Sequence, residues 1–123
     1  AVGMGNPHLI FFVNDLENIN VSLVGKFFEN HPLFPQKTNV HFCKLIQDNV
    51  IKVKVWERGA GQTLACGTGA CAVHVVAYKL GLCDKNTIIS LPGGDLSIEW
   101  FDNNDEVKMT GLAQKVFSGE IYI

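Results

Sequence analysis

The sequence predicts an α+β fold in which a mixed, mostly antiparallel curled sheet wraps around a central buried apolar helix. Three observations lead to this prediction. At least six short segments have the pattern of strands, two have the pattern of helices, and one of those helices, residues 68–80, is apolar on almost every side. Such a helix needs cover all round, which a curled sheet provides. The 123 residues are enough for a single domain, residues 1–123.

The chain begins with a strand followed by a helix. Residues 8–15, an apolar run closed by Asn-Asp, predict a strand buried on both faces. Asn20 is of a type that caps helices, and the helix it starts covers residues 21–30. This helix stops before Pro32, because a residue that precedes proline disfavours helical geometry.

A hairpin follows. Residues 38–46 and 50–57 are both rich in β-branched and aromatic residues, and the polar residues 47–49 join them. Successive side chains of a strand point to opposite faces. The second strand therefore has one apolar and one charged face, formed respectively by Ile51, Val53, Val55 and by Lys52, Lys54.

The rest of the chain predicts one more helix and several strands. Residues 59–64 are a flexible approach to the apolar helix 68–80, which Gly81 ends as the residue after the C-cap. The elements expected after it are strands at 87–91, 96–101 and 107–111, a last strand within 113–123, and turns at 92–95 and 102–105.

Composition and charge exclude several classes of function. The net charge of −2 gives no electrostatic reason to expect nucleic acid or an anionic membrane as partner. No apolar run reaches the roughly 20 residues that span a bilayer, and the start lacks the pattern of a secretory signal. The four cysteines form no C-x-x-C pair, so neither a zinc site nor another metal site is expected. Reduced thiols and a cytoplasmic location are expected instead.

The segment Gly-Gln-Thr-Leu-Ala-Cys-Gly-Thr-Gly-Ala-Cys, residues 61–71, places a cysteine at the entrance of the apolar helix. Unpaired backbone N–H groups and the positive end of the helix dipole would favour the thiolate of Cys66. Gly67 and Gly69 leave the backbone open, and the same N–H groups offer a seat for a carboxylate. A buried, inert cysteine in a tight turn stays the alternative, and it is the preferred interpretation for Cys43, Cys71 and Cys83.

A dinucleotide site is a second interpretation of this segment. Residues 67–72 satisfy the G-x-G-x-x-A pattern, which is weak when it stands alone. The fingerprint requires a strand that leads straight into the glycine turn. Here ten residues separate Trp56 from Gly67, so the interpretation fails on its context.

Two further segments carry polar residues at the ends of strands. Met-Gly-Asn-Pro-His places Asn6 and His8 around a proline-fixed turn, and Trp-Glu-Arg-Gly-Ala-Gly places Glu57 and Arg58 at a strand end. Taken singly, an Asn-Pro turn is usually only a turn, and adjacent opposite charges are usually a solvated rim. Their occurrence together is what gives them weight.

Together with Thr-Asn-Val at 38–40 and the closing strands 93–111, these segments resemble the C-terminal half of diaminopimelate epimerase. The resemblance covers essentially all of the chain, and Glu-Arg-Gly-Ala-Gly-Gln-Thr-Leu-Ala-Cys-Gly-Thr-Gly-Ala-Cys, residues 57–71, is its most specific block. More distant families that share the fold, the proline racemases and the phenazine-biosynthesis isomerases, are not expected to carry this block. Enzymes of this type consist of two similar halves with the active site in the cleft between them, and each half supplies one cysteine.

The resemblance implies a role for each site residue. Cys66 is the acid/base of this half, and Glu57 and His8 act with it in catalysis. Substrate-binding positions are implied for Asn6, Asn39, Glu57 and Arg58, and backbone N–H groups of Gly67 and Thr68 are expected to bind the carboxylate at the reacting carbon.

The implied function is the cofactor-independent epimerisation of LL-diaminopimelate to meso-diaminopimelate in lysine and peptidoglycan biosynthesis. The partners are that small-molecule substrate and a missing N-terminal half, without which the chain is expected to be inactive. Three alternatives stay open: a related cofactor-independent racemase of the proline racemase type, a non-catalytic half that only binds carboxylates, and a homodimer in which two copies share one cleft.

Overall fold

The computed structural model describes residues 1–101 and 104–123, which form one curled sheet and two helices. This confirms the predicted α+β class. In chain order the elements are β1 (Val2–Gly3), β2 (Pro7–Phe12), α1 (Val21–Glu29), β3 (Asn39–Gln47), β4 (Val50–Glu57), β5 (Gly61–Thr63), α2 (Gly67–Lys79), β6 (Asn86–Leu91), β7 (Gly94–Phe101) and β8 (Glu106–Gly111). In the part of the chain that the structure describes, neither helix is long and apolar enough to cross a membrane.

The sheet is mixed and mostly antiparallel, as predicted. Its strand order is β1-β2-β3-β4-β6-β7-β8, and β5 pairs with the end of β4. Two pairs are parallel, β2 with β3 and β4 with β6, and the other pairs are antiparallel. Parallel strands need a crossover, which α1 provides for the first pair and α2 for the second.

Helix α1 covers the outer face of the sheet. Its first turn is capped as predicted, because Asn20 Oδ1 accepts a hydrogen bond of 3.0 Å from the Leu23 N–H. The helix packs on β3 and β4 through an apolar cluster that includes Val21, Val40 and Phe42. At Gly25 a side chain would collide with Trp56, so glycine lets the helix approach the sheet closely.

Helix α2 fills the concave face, which confirms the predicted central buried helix. Its sides contact strands from both ends of the sheet, β1 to β3 and β6 to β8. Gly81 follows its C-cap with a φ of 72°, as expected for a helix that ends in a left-handed residue. The surrounding core is formed by inward residues of the strands, and includes Cys43, Ile51, Val53, Val55, Ile89, Leu91 and Ile98.

The structure differs from the predictions at both ends of the chain and before α2. Residues 59–64, expected as a flexible approach, contain β5, because Gly59 and Gly61 adopt φ values of +77° and +83° that turn the chain back along β4. The predicted last strand within 113–123 is wrong. Side chains of this segment are exposed, and among the described residues no strand lies beside it to supply the hydrogen bonds that a strand requires. Half of the turn expected at 102–105 lies outside the described residues.

Candidate active site

Cys66 stands at the entrance of α2. It is the N-cap residue, in extended geometry with φ −145° and ψ 106°, and its side chain caps no backbone N–H. The N–H groups of Gly67 and Thr68 in the first turn therefore lack intrahelical partners. Cys66 is 8% exposed, so the sulfur lies just beneath the surface. The thiol thus lies next to two N–H donors that have no partner among the described residues, as the sequence predicted.

Burial raises the pKa of the Cys66 thiol above its usual value. The Gly69 N–H and the Thr68 hydroxyl oppose this by stabilising the thiolate, and Glu57 reinforces it through both its charge and a hydrogen bond. The prediction of a favoured thiolate is therefore wrong for this chain. The reason is that desolvation has a larger effect than the hydrogen bonds from Gly69 and Thr68, and a carboxylate lies beside the sulfur.

Glu57 and Arg58 occupy the end of β4, where the strand turns into β5. The Thr63 hydroxyl donates a 2.5 Å hydrogen bond to Glu57 Oε1, which holds the carboxylate toward Cys66. The Arg58 side chain is exposed, and its Nη1 donates to the Gln36 carbonyl at 3.0 Å. The Glu57 side chain therefore faces the Cys66 thiol, and the Arg58 side chain lies at the surface.

The loop that carries Arg58 is fixed by a buried carboxylate from α1. Glu29 is 6% exposed and accepts hydrogen bonds from Trp56 Nε1 at 2.7 Å and from the Gly59 N–H at 3.0 Å. The bond from Trp56 is the main reason why the pKa of Glu29 lies below its usual value. The Glu29 carboxylate therefore binds both Trp56, near the end of β4, and Gly59, in the turn that follows.

Asn39 lies within the site, and both ends of its side-chain amide are hydrogen-bonded. It is 4% exposed, its Nδ2 donates to the Pro7 carbonyl at 3.0 Å, and its Oδ1 accepts from the Arg58 N–H at 2.9 Å. Through these two bonds the Asn39 side chain joins the starts of β2 and β3 to the end of β4. It brings the two polar segments of the sequence together.

His8 and Asn6 form a second polar group. His8 is fully buried, its Nε2 lies 2.9 Å from Asn6 Oδ1, and its Nδ1 lies 2.8 Å from Nε2 of His41. Burial lowers the pKa of His8, as does the charge of Arg58, while the charge of Glu57 raises it. An open cavity of about 560 Å³ is lined by Asn6 and His8 with neighbouring residues of the N-terminal segment. Cys66 does not line this cavity.

His41 is a site residue that the sequence reasoning missed. It is fully buried on β3, and its ring approaches Gly69 so closely that a Cβ there would overlap His41 Cε1. The same position is 3.0 Å from His41 Nδ1 and 3.0 Å from Cys66 Sγ, so both atoms flank one vacant spot. Strand alternation was the available signal, because it places residue 41 on the same face as Asn39.

The α2 entrance is partly covered by β8. A Cβ at Gly67 would lie 3.1 Å from Met109 Cε, the tip of a flexible, half-exposed side chain. Among the described residues, no group of three or more His, Cys, Asp or Glu side chains is arranged to hold a metal ion. The reactive groups at this entrance are the Cys66 thiol, which can transfer a proton, and the backbone N–H groups of the first turn, which can bind an anion.

Comparison with known proteins places this arrangement in a family. A family model described as diaminopimelate epimerase matches residues 1–116. A protein named diaminopimelate epimerase from Prochlorococcus marinus (strain NATL1A) is 57% identical over all of this chain, which covers 43% of that protein. Another with the same name, from Microcystis aeruginosa (strain NIES-843 / IAM M-2473), is 53% identical over 97% of this chain and 42% of its own length. The chain thus spans less than half the length of these curated relatives.

A solved structure supports the fold. The crystal structure of the Bacillus anthracis phenazine biosynthesis protein, PhzF family, matches 81% of this chain and 33% of its own chain, with a TM-score of 0.53. Its sequence identity is 16%, so the likeness concerns the fold alone. It agrees with the expectation that phenazine-biosynthesis isomerases share this architecture.

Proposed function

The chain belongs to the diaminopimelate epimerase family, and we propose that it supplies one acid/base cysteine and half of the cleft of a cofactor-independent epimerase. The substrate of this proposal is LL-diaminopimelate, which is converted to the meso form. The chain corresponds to the C-terminal half, and the partner half supplies the opposing cysteine. The observation that carries the proposal is the juxtaposition of the Cys66 thiol, the Glu57 carboxylate and the free N–H groups that begin α2.

Inversion of a stereocentre requires removal of a proton from one face and delivery of a proton to the other. Cys66 serves one face, and the cysteine of the partner half serves the opposite face. A carboxylate on the reacting carbon binds the N–H groups of Gly67 and Thr68, where the helix dipole also favours negative charge. The same donors stabilise the charge that develops when the proton leaves.

The raised pKa of Cys66 is consistent with this chemistry. A proton on the α-carbon of an amino acid is weakly acidic, and a thiolate of higher pKa is a stronger base. Glu57 disfavours the thiolate by its charge, so it keeps Cys66 protonated when this sulfur has to act as the acid. The buried setting thus lowers the population of the base but increases its strength.

A chimera tests the proposal. In the Prochlorococcus relative, this chain replaces the 43% of the length that it matches, and incorporation of deuterium from D₂O at the α-carbon of diaminopimelate is followed by mass spectrometry. We expect exchange in the chimera and none in the chain alone. Cys66→Ala should lower exchange by roughly 10²-fold or more.

Cys71→Ala is the matched control, since Cys71 lies on the same helix and is half-buried. It should retain exchange, with the circular dichroism of both variants unchanged. Full activity of the Cys66→Ala chimera would refute the acid/base role. Turnover by the chain alone would refute the need for a partner half.

A further inference from the structure

His41 lies against His8 without a role in the mechanism described so far. Both imidazoles are fully buried, and the ring centroids are 5.0 Å apart. One nitrogen of each ring is shared in the 2.8 Å contact between His8 Nδ1 and His41 Nε2. A contact between two such nitrogens requires that one donates a proton and the other accepts it.

The partner of the other His8 nitrogen decides the direction of this bond. Asn6 Oδ1 faces His8 Nε2 at 2.9 Å, and an amide oxygen can only accept. With the Asn6 amide in this orientation, His8 Nε2 carries a proton. In the neutral ring His8 Nδ1 then accepts, so the His41 Nε2–H is the donor.

The remaining nitrogen of His41 agrees with this assignment. With the proton on Nε2, a neutral His41 has a bare lone pair on Nδ1, and this buried atom has no hydrogen-bond partner among the described residues. The alternative neutral tautomer would bury an unpaired N–H at this atom and leave no donor for His8 Nδ1. Burial and the neighbouring His8 lower the pKa of His41 to about 3, so the ring stays neutral at physiological pH.

We propose that His41 is a positioning residue that holds His8 in its Nε2–H tautomer. In that tautomer His8 offers an N–H donor, and no lone pair, on the side of Asn6. The functional consequence rests on the proposed epimerase function. The Nε2–H of His8 bonds Asn6 Oδ1 and its Nδ1 accepts from His41, so the ring has no free lone pair with which to take a proton from a thiol. His41 acts only through His8 and touches no substrate.

The charged groups that act on His8 from the neighbouring strand are Glu57 and Arg58, with opposite effects on its pKa. From α2, the Cys66 sulfur is the titratable group next to His41. None of these groups supplies a donor to His8 Nδ1 in the structure. Asn6 Oδ1, which accepts from Nε2, and His41, which donates to Nδ1, therefore hold the tautomer of His8 together.

The first test needs no substitution and no activity. In the chain with ¹⁵N-labelled histidine, long-range ¹H–¹⁵N spectra at pH 7 distinguish protonated from unprotonated ring nitrogens. We expect both His8 and His41 to carry the proton on Nε2. A proton on Nδ1 of His8 would overturn the proposal, whatever the chimera does in the exchange assay.

The second test compares two variants at position 41. His41→Leu removes the donor to Nδ1 and leaves Asn6 as the other partner of the ring. We expect the Nε2–H tautomer of His8 to become less populated and the pKa of His8 to rise by about one unit, since its neutral form loses a hydrogen bond. His41→Gln keeps an N–H donor and should restore both readouts. If the two variants behave alike, or if His41→Leu leaves the His8 titration unchanged, the positioning role is wrong. Loss of exchange in the Cys66→Ala chimera is independent of either result.

Discussion

Replacement of Gly69 by alanine tests the close approach of α2 to β3. In a helix interior this change usually stabilises by about 1 kcal/mol, because glycine loses more backbone entropy on folding. Here the new Cβ would overlap His41 Cε1 and lie 3.0 Å from Cys66 Sγ. The His41 ring is fully buried and bonded to His8, so it has little room to move.

The magnitude follows from these two opposing effects. Overpacking in a core costs typically 1–3 kcal/mol, and a collision with a fixed ring belongs at the upper end of that range. After the helix-propensity gain, we expect Gly69→Ala to lower the free energy of unfolding by about 1–2 kcal/mol. Gly67→Ala is the matched control. There the Cβ meets only the flexible tip of Met109, so the change should be neutral or stabilise by up to about 1 kcal/mol.

Urea unfolding followed by tryptophan fluorescence measures both variants. A second comparison isolates the cause. In a His41→Ala background the overlap with the ring is gone and only the 3.0 Å approach to Cys66 Sγ remains, so Gly69→Ala should cost much less stability than in the wild type. If Gly69→Ala is at least as stable as the wild type, the packing argument is refuted. An effect of Gly69→Ala on stability that does not depend on the residue at position 41 would refute it too.

Two further predictions concern protons. The pKa of His41 falls from 6.5 to about 3 on folding, so between these values the unfolded chain binds a proton that the folded chain does not. The free energy of unfolding is therefore highest above pH 6.5 and decreases as the pH falls. Between pH 7 and pH 5 the decrease is about 2 kcal/mol. Urea midpoints across this range should show that fall, and a smaller one in His41→Leu; an equal fall in both proteins would contradict the assignment. For Cys66, whose pKa is raised above 9.0, the rate of alkylation by iodoacetamide should climb from pH 7 to pH 9 without a plateau, while the fully buried Cys43 stays unmodified. A plateau below pH 8 would mean that the thiolate already forms near neutrality.

Local patterns predicted the elements whose cause is local. The alternation of apolar residues with Lys52 and Lys54 marks β4, and Asn20 and Gly81 mark the start of α1 and the end of α2 because each performs its function within one turn. The uniformly apolar α2 indicated a concave sheet around it. The false last strand within 113–123 shows the limit: a β-prone segment becomes a strand only beside another strand.

Site residues that belong to a sequence motif could be predicted, whereas contacts that depend on the tertiary fold could not. Cys66 at a helix entrance follows from the glycines around it, but its protonation depends on burial and on Glu57, which only the folded chain reveals. His41 lies 33 residues from His8 in the chain, and nothing local to either residue indicates their hydrogen bond. Asn39, whose role at the substrate stays a prediction, also joins two strands to the Arg58 turn, and those contacts are not local either.

The polar residues of the site and the strands that only support α2 come from different parts of the chain. Every polar group of the site comes from the N-terminal part of the chain up to Gly69, whereas β6, β7 and β8 contribute a wall behind α2 and the Met109 side chain. The outward positions of that wall, such as exposed Ser97, offer attachment points for a fluorophore. A dye at that position would report assembly of the chain with another half in real time, without disturbing a single group that handles a proton.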